Sequence, residues 1–545
     1  MADKLAYLWP EITLFLATCV VMVIGLSPSA AVRRMCPLLS GLALAAAGIV
    51  AIGTTPLAAD GAAGLMPGLL MYAKATTAVV GILIVMLLAG TVDRGEEAQL
   101  ASGQRRFDPL RLTGGEFYAF FLFSMTGLML TASADSLIWL FLALELTSLP
   151  TYVMVTISTA KSRAKEAGVK YFFLGALGAA IFLYGFSLIY GGTGSVHLAE
   201  IRDTIIAQSS SANGVNPIAI IGFMLALIGL GFKIAAVPMH LYVADVYQGA
   251  ASPVSAMLAF VPKAAGFFAI ILLCTTLGWT HGPNGAALPE AIRLLLWTMA
   301  VLSMTLGNVL AILQNSVKRL LAYSSIAHSG YMLVGIIAGP GDSFTSDGIA
   351  AVLFYLLCYG IMSTGAFAVI ASLERTHSAR TQSGEAAFDE ADNLEAMKGL
   401  ARTRPVLGWS LIVCALSLLG FPLTVGFFGK LPLFTAGIGA GEVPLVIILG
   451  INSAIAAFYY LRLVAYPLFD SAGDEAKAMR LTPMATRPAV GVLAALGVLG
   501  LTIFASPVMH QAQLATEPGA SPAVSDHAEP EPDAVAIVGP ISEND

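Results

Sequence analysis

Apolar segments long enough to cross a lipid bilayer follow one another from Leu5 to Ala505, and this succession constrains the chain more than any other feature. A run of ~20 mostly apolar residues spans the hydrocarbon core. Inside lipid each backbone amide needs a partner from the protein itself, so segments of this length read as helices. Composition agrees: 57% of the 545 residues are hydrophobic, 11% are charged and the mean hydropathy is +0.81, outside the range of soluble globular domains. The stretch from Leu5 to Leu26 lacks the basic start and small-residue cleavage site of a secretory peptide, and reads as a first span. The fold class is therefore an all-α polytopic membrane protein.

Hydropathy gives about fourteen transmembrane helices. They run Leu5 to Leu26, Pro37 to Gly53, Lys74 to Gly90, Phe117 to Ala132, Ser136 to Ile157, Val169 to Tyr190 and Ile218 to Val243. The second half continues Pro253 to Leu277, Ala291 to Leu313, Arg319 to Ile337, Ile349 to Leu373, Pro405 to Thr435, Val443 to Phe469 and Pro488 to Ala505. Cytoplasmic loops collect Lys and Arg, so the basic residues test this layout independently. One set of alternate loops holds 20 of the 28, among them Arg33, Arg94, Arg163, Lys318, Arg319, Arg404 and Arg487. The other side shows Lys4, Lys74, Arg202 and Arg293. This alternation places both termini outside the cytoplasm.

Two spans contain features that break helices at transporter binding sites. In the seventh, Lys233 is followed by Pro238; the twelfth holds Pro422, Gly426, Gly429, Lys430 and Pro432. They lie five spans apart, and because five is odd the second copy is inverted relative to the first. The expected organisation is three N-terminal helices (1–116), a first five-helix repeat (117–277), a second, inverted repeat (278–470) and a last helix (471–506). Residues 507–545 are rich in Ala, Pro and acids without Lys or Arg, and read as a disordered acidic tail. The polar loop from Glu374 to Arg404 is expected to hold a short surface helix around Glu385 to Leu400.

The remaining four basic residues, Lys233, Lys263, Lys430 and Arg462, fall inside predicted spans, and Glu145 is an acid inside one. A charge at the bilayer centre costs about 2.5–3.5 kcal/mol on insertion scales, so each requires a reason. Lys233 lies roughly 22 Å into its span and Lys263 roughly 15 Å into the next, too deep to snorkel easily. Desolvation favours a neutral amine and a nearby carboxylate favours the ammonium, so a lysine–carboxylate pair can trade a proton as its geometry changes. At an assumed separation of about 6.5 Å and an effective dielectric of ~20, Glu145 and Lys233 would attract by about 2.6 kcal/mol. His328 falls inside the tenth span, where a neutral imidazole relays protons, and Ser324, Ser325, Tyr331 and Tyr242 can hold water beside such a route. His240, two turns beyond Lys233, and Asp245, at the end of the broken span, are further candidates; Asp245 equally suits a cap. The bland alternatives are structural: an intramembrane lysine fixing helix packing, Glu145 as its counter-ion, and a satisfied core histidine. Arg462 lies near the basic face and reads as a snorkelling or loop-binding residue.

Other chemistries lack their signatures. The five cysteines are scattered singly with no CxxC pair, and there is no GxGxxG, GxxxxGK or HExxH, so no metal site and no bound cofactor is expected in this chain. The expected partners are the lipid bilayer and protons, with no nucleic acid.

The run from Gly231 to Ala250 resembles the seventh-helix signature of the antiporter-like subunits of respiratory complex I and of Mrp-type cation/proton antiporters. The matching elements are Phe232-Lys233, Pro238-x-His240, Asp245-x-Tyr247, and Ser252-Pro253 continuing to Pro262-Lys263. The resemblance extends over about Phe117 to Phe469 and is nearest to the N-type subunit, since Lys430 stands in Gly426-Phe427-Phe428-Gly429-Lys430 and His328 in Ala-His-Ser-Gly-Tyr. Met239 and Tyr242 depart from the Phe and Trp common there. The resemblance implies that Glu145 and Lys233 form the family's charge pair, that Lys263 is its central relay lysine and that Lys430 is its terminal lysine. It also implies proton translocation driven by partner subunits that carry FMN, iron-sulfur clusters and quinone, with an M-type antiporter-like subunit and small membrane subunits as neighbours. A sodium/proton antiporter subunit of the Mrp type is the alternative, and a membrane scaffold docking a redox arm ranks third.

Overall fold

The computed structural model describes residues 7–53, 65–210, 214–281, 286–380 and 386–516. Long helices dominate: α1 Trp9–Gly25, α2 Cys36–Gly53, α3 Pro67–Leu88, α4 Gly114–Ala132, α5 Leu137–Ile157, α6 Ser162–Thr193, α7 Pro217–Lys233, α8 Val243–Gly249 and α9 Ser252–Leu277. They continue as α10 Glu290–Ile312, α11 Val317–Ala338, α12 Gly348–Ala371, α13 Pro405–Leu419, α14 Val425–Gly439, α15 Val443–Phe469, α16 Thr486–Ile503 and α17 Ala505–Leu514. Among the described residues 11 helices are long and apolar enough to cross a membrane, or up to 12 if a bent pair counts as one. The shortfall against about fourteen has a local cause. α1, α7 and α14 stand where spans one, seven and twelve are expected, but are apolar helices of only 17, 17 and 15 residues.

The interior is apolar as in a soluble protein, but so is much of the surface. Outer helices expose large apolar side chains such as Val23, Ile49, Phe173 and Ile447, which suits lipid contact. α9, α11 and α12 are enclosed almost completely and form the centre of the bundle. The helix carrying Lys233 reaches that centre because α6 and α7 pack backbone to backbone: a Cβ on Gly229 would lie 2.6 Å from the amide nitrogen of Phe182.

The basic loops share one face, as ion pairs between them require. Arg33 pairs with Glu97, Arg94 and Arg487 with Glu374, Lys318 with Glu390 and Arg319 with Asp245. Glu374 and Glu390 lie on strands β1 Leu373–Arg380 and β2 Ala386–Glu390; with β3 Arg480–Leu481 these form an antiparallel sheet of order β2-β1-β3.

Three expectations are corrected. The surface helix expected around Glu385 to Leu400 is a strand, β2, followed by a 3-10 turn at Leu394–Met397; pairing with β1 overrides local helix propensity. The third span begins at Pro67, so Lys74 lies inside it. The tail is ordered at its start: α17 packs on α3, where a Cβ on Gly68 would meet the Leu514 carbonyl oxygen, and Thr516 donates to Asp347 at 2.6 Å. The remainder of the expected tail, 517–545, and Lys4 lie outside the described residues.

Candidate functional site

The two expected interruptions are present, at residues 234–242 between α7 and α8 and at residues 420–424 between α13 and α14. Each contains a non-glycine residue in the left-handed region, Ala235 (φ 60°) and Leu423 (φ 74°). Such backbone costs free energy and persists only where the surroundings enforce it.

Lys233 is the last residue of α7, where the negative end of the helix dipole favours a cation. Its Nζ lies 3.1 Å from Glu145 Oε1 and donates to Ser148 Oγ at 2.7 Å, both on α5. The pair is a direct contact and not the 6.5 Å separation assumed from sequence. At an effective dielectric of ~20 the attraction is about 5 kcal/mol, offset by the desolvation of both ions. The lysine is 2% exposed while the Glu145 side chain keeps 18% of its surface.

Lys263 lies on α9 immediately after Pro262 and is 1% exposed. Its Nζ donates to the carbonyl oxygen (2.5 Å) and the hydroxyl (2.6 Å) of Ser325 on α11, and sits 4.8 Å from the Tyr359 ring centroid. Among the described residues no carboxylate pairs with it.

His328, also on α11, is fully buried and bonded at both ring nitrogens: Nδ1 to Tyr355 Oη at 2.6 Å and Nε2 to Tyr460 Oη at 2.8 Å. Tyr460 is hydrogen-bonded in turn to Ser324. The imidazole lies within electrostatic reach of Lys263 and Lys430.

Lys430 is on α14, and its Nζ donates to the carbonyls of Leu418 (3.1 Å) and Leu419 (2.8 Å), at the C-terminal end of α13. These belong to the carbonyls a helix end leaves without intrahelical partners. The Tyr331 ring centroid lies 5.0 Å away. Gly420, at φ 85°, makes room for the lysine stem; a Cβ there would meet Lys430 Cδ at 3.0 Å.

α11 therefore touches Lys263 and Lys430, carries His328 and reaches the residue next to Lys233. Ser325 holds Lys263, His328 lies one turn on, and Tyr331 faces Lys430. Ser329 donates to the Ile234 carbonyl in the interruption beside Lys233. Ser325, His328 and Ser329 share one helix face by their i, i+3, i+4 spacing.

The other candidates fall elsewhere. His240 lies in the first interruption with Nδ1 buried and unbonded, and no hydrogen bond joins it to Lys233. Asp245 is half-exposed in α8 and pairs with Arg319 (2.8 Å) and Lys170 (3.1 Å) at the basic face. Arg462 binds the loop, donating to the Ile312 carbonyl and Asn315 Oδ1. Tyr242 donates to the Phe232 carbonyl at 2.8 Å and stacks on Tyr171.

Sequence reasoning missed Tyr355, Tyr460 and Ser329, and a second buried pair. Lys74 Nζ lies 2.9 Å from Glu11 Oε1 and donates to the Tyr7 carbonyl, while Ser133 donates to Glu11. Glu11 was a signal in plain view, an acid within the first apolar run. Among the described residues no cluster of three or more His, Cys, Asp or Glu is arranged to hold a metal.

Comparison with known proteins follows the same lines. Residues 134–456 match the family described as "NADH:quinone oxidoreductase/Mrp antiporter, TM". NADH-quinone oxidoreductase subunit N of Herminiimonas arsenicoxydans is 35% identical over 482 residues, 86% of this chain and 90% of that protein. A chain of respiratory complex I from Thermus thermophilus superposes with a TM-score of 0.69 at 30% identity, covering 92% of this chain and 98% of that one. A chain of the Mrp complex from Dietzia sp. shares the fold at 19% identity (TM-score 0.71, 95% and 97% covered). The chain belongs to the NADH:quinone oxidoreductase/Mrp antiporter membrane family, as an antiporter-like subunit of the N type.

Proposed function

We propose that this chain is a proton-translocating, non-redox membrane subunit of an NADH-quinone oxidoreductase. Quinone reduction on partner subunits shifts charge along Lys233, Lys263, His328 and Lys430 and moves protons outward across the membrane. The observation that carries the reading is that three amines no more than 5% exposed and a doubly bonded histidine gather at one buried helix: α11 contacts Lys263 and Lys430, carries His328, and through Ser329 bonds the Ile234 carbonyl next to Lys233. An amine so placed has little solvation to lose when its proton leaves, so a modest movement of a neighbouring charge changes its protonation. Hydroxyls of Ser148, Ser325, Tyr355 and Tyr460 both donate and accept, which suits them to pass a proton between such groups.

FMN, iron-sulfur clusters and quinone belong in this reading to the partners, among them an M-type antiporter-like subunit and small membrane subunits. The basic face is cytoplasmic, both termini are periplasmic, and residues 117–277 and 278–470 act as two inverted halves. The N-type relative at 35% identity favours this over a sodium/proton antiporter, for which the 19% similarity speaks to fold alone.

Lys233→Ala and Lys430→Ala in the assembled complex test the proposal, with quinone-coupled proton pumping measured in proteoliposomes. Loss of pumping is expected; normal pumping by a normally assembled complex refutes the roles given to these lysines.

A further inference from the structure

The connection between α12 and α13 contains a short segment that grips two helices at once. Glu390, the last residue of β2, accepts from the backbone N–H of Ser252 at 3.0 Å, from Ser252 Oγ at 2.6 Å and from Lys318 Nζ at 3.0 Å. Ser252 opens α9 and Lys318 lies in the first turn of α11. Two residues on, Asp392 accepts from Ser316 Oγ at 2.7 Å and from the backbone N–H of Lys318 at 3.0 Å, and its carbonyl accepts from Val317 at 2.7 Å. The N-termini of α9 and α11 are thus fastened to one short piece of chain.

Those two helices meet again at the buried centre, where Lys263 of α9 donates to Ser325 of α11. Lys263 lies about 16 Å along α9 from Ser252, and Ser325 about 12 Å along α11 from Val317. Helices are stiff over such lengths, so fixing their shared end fixes the approach at the lysine.

Glu390 suits an anchor better than a carrier. Burial pushes its carboxyl up, but Lys318 and the Ser252 donors outweigh this and hold it below the usual carboxylate range. Each of its oxygens already accepts a hydrogen bond.

We propose that Glu390 is a positioning residue for Lys263: together with Asp392 it clamps α9 to α11 at the basic face and sets the Lys263–Ser325 approach. The hairpin of β1 and β2 becomes a control point, because any partner that shifts it shifts the central lysine. This rests on the reading of Lys263 as a relay group.

The test is a double-mutant cycle in the assembled complex, with pumping rate per assembled complex as the readout for Glu390→Gln, Ser325→Ala and the double variant. Glu390→Gln is expected to slow pumping by roughly three-fold or more, with little further loss when Ser325 is already Ala, because both changes act on one contact. Multiplying losses, or unimpaired pumping by Glu390→Gln beside an impaired Ser325→Ala, overturn the clamp alone. Unimpaired pumping by Ser325→Ala overturns the clamp, and unimpaired pumping by Lys263→Ala overturns the relay role on which it rests. Should Glu390→Gln not assemble, Ser252→Ala removes the 2.6 Å contact without altering charge and enters the same cycle.

Discussion

Lys233 ends the helix before the first interruption and Lys430 lies in the helix after the second, and the two are held by different means. Lys233 has an acid at 3.1 Å and a hydroxyl at 2.7 Å, so its charge is balanced inside the chain. Lys430 has two carbonyls at the end of α13 and the face of Tyr331, and among the described residues no acid. A carboxylate gives a full counter-charge, whereas a helix end supplies roughly half of one and a ring less again. The comparison teaches that a buried lysine charge is balanced by a full counter-charge at the first site and only by partial ones at the second.

The largest effect should separate the two by stability. Lys233→Ala strands the Glu145 carboxylate and is expected to destabilise by about 3–5 kcal/mol. Lys430→Ala strands no acid, only the Leu418 and Leu419 carbonyls, and should cost less, about 1–2 kcal/mol. Thermal melting of the purified protein in detergent checks both, and equal losses would break the comparison. Next, Ser148→Ala removes a hydrogen bond to the Lys233 ammonium and should cost about 1.5–3 kcal/mol by the same assay. At Lys430 the ring is the point to probe: Tyr331→Leu should cost up to about 2 kcal/mol by losing the cation–π contact. Tyr331→Phe keeps the ring, loses the bonds to Asn308 and Asn452, and should cost about 1 kcal/mol. Equal effects of the two Tyr331 variants would show that the hydroxyl, and not the face, matters.

Charges were the legible part of the site. A lysine or glutamate within an apolar run is too costly to be incidental, and Glu145, Lys233, Lys263 and Lys430 stood out for that reason. Their partners did not stand out, since Tyr355, Tyr460 and Ser329 are unremarkable in apolar helices until the fold brings them to His328 and Ile234. Lys74 shows a bias of hydropathy reading: a charge is taken to mark the end of a span, so a charge neutralised by Glu11 inside the bundle is misplaced to its edge. β2 was missed because its strand character comes from pairing with β1 and not from its own residues. α17 was hidden because tail composition was averaged across a stretch whose first ten residues, with Val508, Met509 and Ala512, differ from the rest.

The central claim is that buried amines gain and lose protons, and Lys263→Arg tests it most directly. Arginine keeps the positive charge but does not release its proton near neutral pH. Proton pumping by the assembled Lys263→Arg complex in proteoliposomes is predicted to fall at least roughly ten-fold, whereas pumping at the parental rate would mean that a fixed charge suffices and would contradict the account.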